Sequence, residues 1–244
     1  MISLNSRSAE LEIMDDLDCH GEVVDQTLRE LEVINRLLGG DYVTIHGVAK
    51  LLANAGVAED SQRTRGGAQR GAIVIADYGC GGGDLAMKMV EWGKKKGIRL
   101  NVVGIDANPH IVDFARKNCN QYSEITFETL DVFENAKKYD VITATLFVHH
   151  FDDLQLVQLF SSMKAHSNWG VVVNDIHRHS LSYYSIKWLT KIFSKSAMVK
   201  FDAPLSVRRA FKRRELARIL YKAGIIHYTL KWKWAFRWQL IIWK

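Results

Sequence analysis

Ile75-Ala76-Asp77-Tyr78-Gly79-Cys80-Gly81-Gly82-Gly83-Asp84 decides the fold. It begins inside AIVIADYG (residues 72–79), a short run rich in β-branched residues and closed by glycine, which reads as a buried strand. Glycines set directly after a strand let the backbone turn tightly and let a ligand approach with no Cβ in the way. A helix over 84–96 is expected to start there, and the free N–H groups of a helix start favour polar or negative ligand groups. Asp106 stands 23 residues past Gly83, at the end of LNVVGID (100–106), the next expected strand. A carboxylate at that place is positioned to accept hydrogen bonds from two ribose hydroxyls.

Outward from this stretch, strand and helix patterns alternate. PHIVDFARKNC (109–119) reads as helix with Pro109 in the first turn, EITFETLD (124–131) and YDVITATLF (139–147) as strands, DDLQLVQLFSSMK (152–164) as helix and WGVVVND (169–175) as strand. Such alternation implies parallel β-α-β units and an α/β, doubly wound, Rossmann-like sheet. RRELARILYKAG (213–224) resumes a helix; IIHYTLKWKW (225–234) and RWQLIIWK (237–244) read as two strands joined by a tight antiparallel turn. Before the core, residues 22–38 form an amphipathic helix pattern through Val24, Leu28, Leu31, Ile34 and Leu38, and 44–55 a second, shorter one. The polar, glycine-containing stretch 58–70 reads as a linker. The expected organisation is a helical N-terminal cap over 1–57 and a core over 71–244, interrupted by a helical lid insertion at 177–211.

A dinucleotide-binding loop needs G-x-G-x-x-G. Gly79-Cys80-Gly81 would require glycine at 84, where the chain has Asp84. What stands instead is D-x-G-x-G-x-G, from Asp77 to Gly83. This resembles the first motif of class I S-adenosylmethionine (SAM)-dependent methyltransferases, whose loop wraps the methionine part of SAM. The resemblance extends over about residues 72–175 and 212–243. It implies SAM as cofactor and a seven-stranded, mostly parallel sheet with an antiparallel last strand. It also implies cofactor contacts from Asp77, Gly79, Cys80 and Gly81 in the loop. Asp106 with Ala107 would lie at the ribose, Asp131-Val132 at the adenine with Phe133 beside them, and Thr145 in the fourth motif. The segments EIMDD (12–16) and NDIHRH (174–179) resemble a bacterial small-molecule branch with O-methyltransferase and quinone-pathway character. Two other classes stay open: an NAD(P)-dependent oxidoreductase, and a methyltransferase fold without activity that binds RNA or a membrane.

Methyl transfer from a sulfonium is an in-line displacement, so alignment is the main task. An oxygen or carbon acceptor also needs a proton removed, for which histidine is suited. Two clusters fall where parallel strands should end at the cleft: His149-His150, and His177-Arg178-His179 just past Asn174-Asp175. His149 and His177 are the candidate bases. Asp175 is expected either to orient His177 or to bind a substrate hydroxyl. His177-x-His179 has no evident third ligand, and no metal site is expected. The insertion carries Tyr183, Tyr184, Ile186, Trp188, Leu189, Ile192, Phe193 and Met198, a composition suited to walling an apolar or aromatic acceptor. The resulting expectation is O-methylation of a small hydroxylated molecule, aromatic, polyketide-like or quinol-like, with a histidine base.

Charge sharpens the question of partners. Of the net +6, residues 176–244 contribute 16 Lys+Arg against Asp202 and Glu215 (+14), whereas residues 1–175 carry 17 against 25 acids (−8). The basic third also holds five of the seven tryptophans. Lysine, arginine and tryptophan together suit a peripheral membrane contact. Nucleic acid is disfavoured, because Thr145-Leu146-Phe147-Val148 replaces the N-P-P-Y type segment of nucleic-acid amino-methyltransferases. Three cysteines without ligand spacing fit a reducing, cytoplasmic setting. The first sixteen residues turn acidic early, so no signal peptide is expected.

Overall fold

Strand β1 (Ile73–Tyr78) lies inside a seven-stranded sheet whose spatial order is β3-β2-β1-β4-β5-β7-β6. The other strands are β2 (Leu100–Asp106), β3 (Ile125–Thr129), β4 (Tyr139–Thr145), β5 (Ser167–Ile176), β6 (Tyr228–Lys233) and β7 (Arg237–Trp243). The computed structural model describes residues 3–57 and 71–244; the expected linker at 58–70 lies outside them. β1 pairs in parallel with both β2 and β4, β2 with β3, and β4 with β5. β7 runs antiparallel to β5 and to β6, so the last strand is the one that reverses direction. The chain order reverses at the β1/β4 seam, which makes the carboxyl ends of these strands the place for a ligand.

Both sheet faces are covered, which explains the continuous apolar runs. Ile75, Val102, Val141, Val172 and Ile241 point to one face. They pack there with α2 (Gly40–Asn54), α3 (Asp84–Lys96) and α4 (Pro109–Asn118). Their strand neighbours Ala76, Ile142, Val171, Val173 and Leu240 point to the other, against α5 (Asp153–His166) and α8 (Arg213–Lys222). This is the period-two alternation of a strand, buried on both sides. Helix starts follow the sequence signals. Asn108 caps α4 through the amides of His110 and Ile111, ahead of Pro109, and Asp152 with Gln155 forms a capping box on α5.

The cap and the insertion meet over the carboxyl end of the sheet. Helix α1 (Glu22–Leu37) buries Val24 and Leu28, while Leu31, Ile34 and Leu38 of the same stripe turn toward a cavity rather than a core. The insertion forms α6 (Ser180–Phe193) and α7 (Ala197–Arg209), which pack on each other. Pro204 sits inside α7. Asp202 of α7 accepts the amides of Ile13 (2.8 Å) and Met14 (3.2 Å), so its carboxylate tethers the N-terminal segment. Arg7 completes the strap. It donates to Asp153 Oδ1 and to the carbonyls of His149, Phe151 and Arg209.

Candidate active site

A cavity of about 740 Å³ opens at the carboxyl ends of β1, β2 and β4, well within the range of small-molecule sites. The loop after β1 forms its floor. Gly79, Gly81 and Gly83 all have positive φ (67°, 51° and 79°), which favours glycine. A Cβ on Gly79 would lie 2.1 Å from the Phe147 ring, so that position must be bare for the segment after β4 to close over the loop. A Cβ on Gly81 would meet only Leu28, at 3.9 Å, which leaves the backbone there open to a ligand. All nine residues expected to touch cofactor line this one cavity: Asp77, Gly79, Cys80, Gly81, Asp106, Ala107, Asp131, Val132 and Thr145. Phe133 joins them, edge-on to Phe151.

The lining charge tests which cofactor fits. Among the described residues, eight acidic side chains line the cavity against a single arginine, Arg237. A pyrophosphate would meet repulsion there, whereas the cationic sulfonium of SAM meets attraction. The three acids around the glycine loop respond to burial. Asp77, which accepts from Thr143 Oγ1 at 2.7 Å, is pushed up to about 7, and Asp84 up to about 6. Burial also raises Asp106, opposed by the amides of Asn108, Gly81 and Ala107. A cationic ligand favours the ionised forms, so its affinity must rise as pH climbs through this interval. SAM affinity is therefore expected to strengthen about tenfold between about pH 5.5 and pH 8, with proton release in calorimetry. The demethylated product, neutral at sulfur, should respond less. A flat profile, or identical profiles for the two, would contradict the charge argument.

Beside the loop, the structure assembles a relay that ends in the cavity. The short turn Val148–His150 follows β4 and holds His149, 2% exposed. Its Nδ1 lies 2.8 Å from Asp175 Oδ1, and its backbone amide donates to Asp175 Oδ2. Burial alone would raise the Asp175 carboxyl; its contacts with His149 and the Ile176 amide outweigh it and leave the carboxyl lowered. Asp175 is thus an acceptor, which assigns the Nδ1 proton to His149 and directs Nε2 elsewhere. That Nε2 has no hydrogen-bond partner among the described residues, and neither has Glu12 Oε1, 3.6 Å away; both are buried. Glu12 Oε2 accepts from Ser206 Oγ at 2.9 Å, and burial pushes its carboxyl up to about 7. His150 is held in the same way, Nδ1 to Asp15 Oδ1 at 2.5 Å. Arg209 bonds to Asp15 and to the His150 carbonyl.

Two expectations need correction. His177 does not line the cavity. Its amide donates to Phe236 O, its backbone bridges Phe211, and its ring rests against Trp238. Asp175 accordingly orients His149, not His177. The insertion does not present a full aromatic wall either: a helix has two sides, and only Ile186 and Leu189 of the eight named residues line the cavity. Tyr183 and Met198 are buried, and Tyr184, Trp188, Ile192 and Phe193 face outward. Among the described residues, the group nearest to a metal-ligand set is formed elsewhere. Glu12, His149 and His150 bring ligand atoms within 4.8 Å of one another. Sequence reasoning missed Glu12, Asp15, Asp202 and Arg209 as site residues. The signal available was acidic side chains set among apolar ones in EIMDD. Part of the basic third is internal: Arg178, Arg209 and Arg237 are buried, Arg178 against Glu215 at 2.5 Å.

A doubly wound sheet with a glycine loop after its first strand, a carboxylate at the end of the second and an acidic cavity fits a SAM-dependent methyltransferase. Residues 70–224 match the Methyltransferase domain family, and the chain belongs to it. Solved structures share the fold at low identity. Magnesium protoporphyrin IX methyltransferase from Synechocystis with bound S-adenosylhomocysteine (SAH) is 17% identical, with 86% of this chain and 84% of that one covered and a TM-score of 0.52. Human N-acetylserotonin methyltransferase with SAM is 15% identical, with 91% of this chain and 55% of that one covered and a TM-score of 0.62. The pyocyanin biosynthetic protein PhzM is 12% identical over 79% of this chain and 55% of that one, TM-score 0.52. No curated protein matches the chain. No helix of the described residues is long and apolar enough to cross a membrane.

Proposed function

We propose that the protein methylates a hydroxyl oxygen on a small apolar ring or polyketide-like molecule, with His149 as the general base. One observation carries this reading: two buried, unpartnered atoms, His149 Nε2 and Glu12 Oε1, face each other across 3.6 Å beside the glycine loop. That gap is too long for a hydrogen bond, yet a hydroxyl oxygen can sit within about 2.8 Å of both atoms. SAM, when bound, supplies an electrophilic methyl group. Gly79 and Gly81 would hold its methionine part, Asp106 the ribose, and Asp131 with Val132 the adenine. His149 Nε2 takes the acceptor's proton, and Asp175 stabilises the imidazolium that forms. Glu12, whose carboxyl burial pushes up to about 7, donates its proton from Oε1 to the same hydroxyl oxygen and so orients it, and Ile186 and Leu189 keep water from the acceptor's apolar body. A metal ion would use the same three side chains, Glu12, His149 and His150, as ligands; a chelator separates the two roles. Two of the structures that share the fold are named for methylation of N-acetylserotonin and of magnesium protoporphyrin IX.

Labelled SAM incubated with the protein and a panel of phenols, enolic pyrones and quinols tests this. Label is expected on oxygen, in an apolar acceptor, with the rate unaffected by chelator. Transfer only to ring carbon, or only to charged acceptors, would overturn the reading.

A further inference from the structure

Helix α6 stands between the cavity and the solvent. Its inner side gives Ser182, Ile186 and Leu189 to the cavity. On its outer side Leu181, Tyr184, Trp188 and Ile192 follow one another at helical spacing and form a stripe that Phe193 ends. These five side chains are between 52% and 77% exposed. Lys187 and Lys191, four residues apart, run along one edge of the stripe, and Lys195 and Lys200 continue beyond the helix end; all four are exposed. From Ser180 to Phe201 there is no acidic residue. Large apolar side chains exposed as one contiguous stripe mark an interaction site.

The stripe adjoins the cavity mouth. Ser185 lines the cavity and is itself exposed. Leu11, Leu17 and Trp234 do the same from other parts of the chain, so the rim is apolar as well. An apolar band edged by cations of one sign is complementary to one kind of surface. The acyl boundary of a bilayer accepts the band, and its anionic phosphates accept the lysines. A second copy in a two-fold pair would set the same lysine row against itself. A nucleic-acid backbone would satisfy the lysines and leave tryptophan and phenylalanine in water.

We propose that the outer face of α6 docks on an anionic phospholipid bilayer, holding the cavity mouth against the membrane. That the methyl acceptor enters from the lipid phase rests on the function proposed above; the docking itself does not. The full chain is tested by co-sedimentation with phosphatidylcholine vesicles containing phosphatidylglycerol, and with pure phosphatidylcholine vesicles. No acceptor is present, so a failed function assignment leaves the result intact. Binding is expected on the anionic vesicles, weaker on the neutral ones and weakened by salt. Two double variants, Trp188→Ser with Phe193→Ser and Lys187→Glu with Lys191→Glu, should each reduce partitioning by about tenfold or more. Their affinity for SAM and their unfolding temperature should stay those of the parent, because these side chains face solvent. The proposal is overturned by absence of binding to anionic vesicles, or by undiminished binding in both variants. It is equally overturned by a solution dimer that the same substitutions dissociate, or by RNA binding without vesicle binding.

Discussion

Replacing Asp106 with alanine weakens SAM binding by about a hundredfold or more, read as Kd in calorimetry. The expectation follows from the place of the carboxylate. It closes β2 next to the glycine loop, lines the cavity, and already accepts the Asn108 amide at 3.0 Å. A carboxylate that receives two ribose hydroxyls makes two charge-assisted hydrogen bonds, each worth about 1.5–3 kcal/mol. Losing both therefore costs at least about 3 kcal/mol, or about two powers of ten. Asp106→Asn keeps the shape and one acceptor, and should fall between parent and alanine variant. The fold tolerates the change, because α4 keeps its own cap in Asn108 and its proline start. NAD should give no thermal stabilisation to the parent, since among the described residues the cavity sets eight acids against one arginine. Unchanged SAM affinity in Asp106→Ala would remove this residue from the ribose and with it the strongest single link between the sequence motif and the cofactor.

The sheet was legible because its strands are buried on both faces and separated by helices, so each shows as an apolar run with turn residues at its ends. That the residues expected at the cofactor gather on one cavity was legible for a related reason. Asp77, Asp106 and Asp131 lie within or just beyond strands, and strand ends are fixed by local pattern. The acceptor side depends on contacts distant in sequence, which local pattern does not record. Glu12 reaches His149 only because Asp202, 189 residues away from Ile13, tethers the N-terminal segment, and Arg7 staples it to the turn after β4. Asp175 shows the same limit. Period two puts Asp175 and His177 on one side of an extended chain, which favours pairing them. The register of β4 with β5, however, sets Thr145 beside Asn174, so the turn after β4 arrives next to Asp175 and brings His149 with it. On α6, helical spacing named the apolar residues without saying which face would meet the cavity. Charge was similarly incomplete, since Arg178 and Arg209 of the basic third point inward and serve the strap.

His149→Ala is expected to lower kcat by about 10²–10⁴-fold while leaving SAM affinity intact. The second half of that statement separates chemistry from folding. His149 is fully buried, so the alanine variant leaves a small void, and an unchanged Kd for SAM shows that the glycine loop and the sheet remain in place. Asp175→Asn gives a second route that keeps the volume. An amide in place of the carboxylate removes the charge that would stabilise the imidazolium and one of the two oxygens that accept from His149, so kcat should fall by a similar order. In the proposed mechanism the two side chains act as one unit, so the double variant should be hardly slower than the worse single one. Additive losses would mean that Asp175 acts on the substrate by itself. A chelator is expected to change none of these rates. Activity that disappears in chelator and returns with a divalent cation would reassign His149, His150 and Glu12 as metal ligands, and a full rate in His149→Ala would place the base elsewhere.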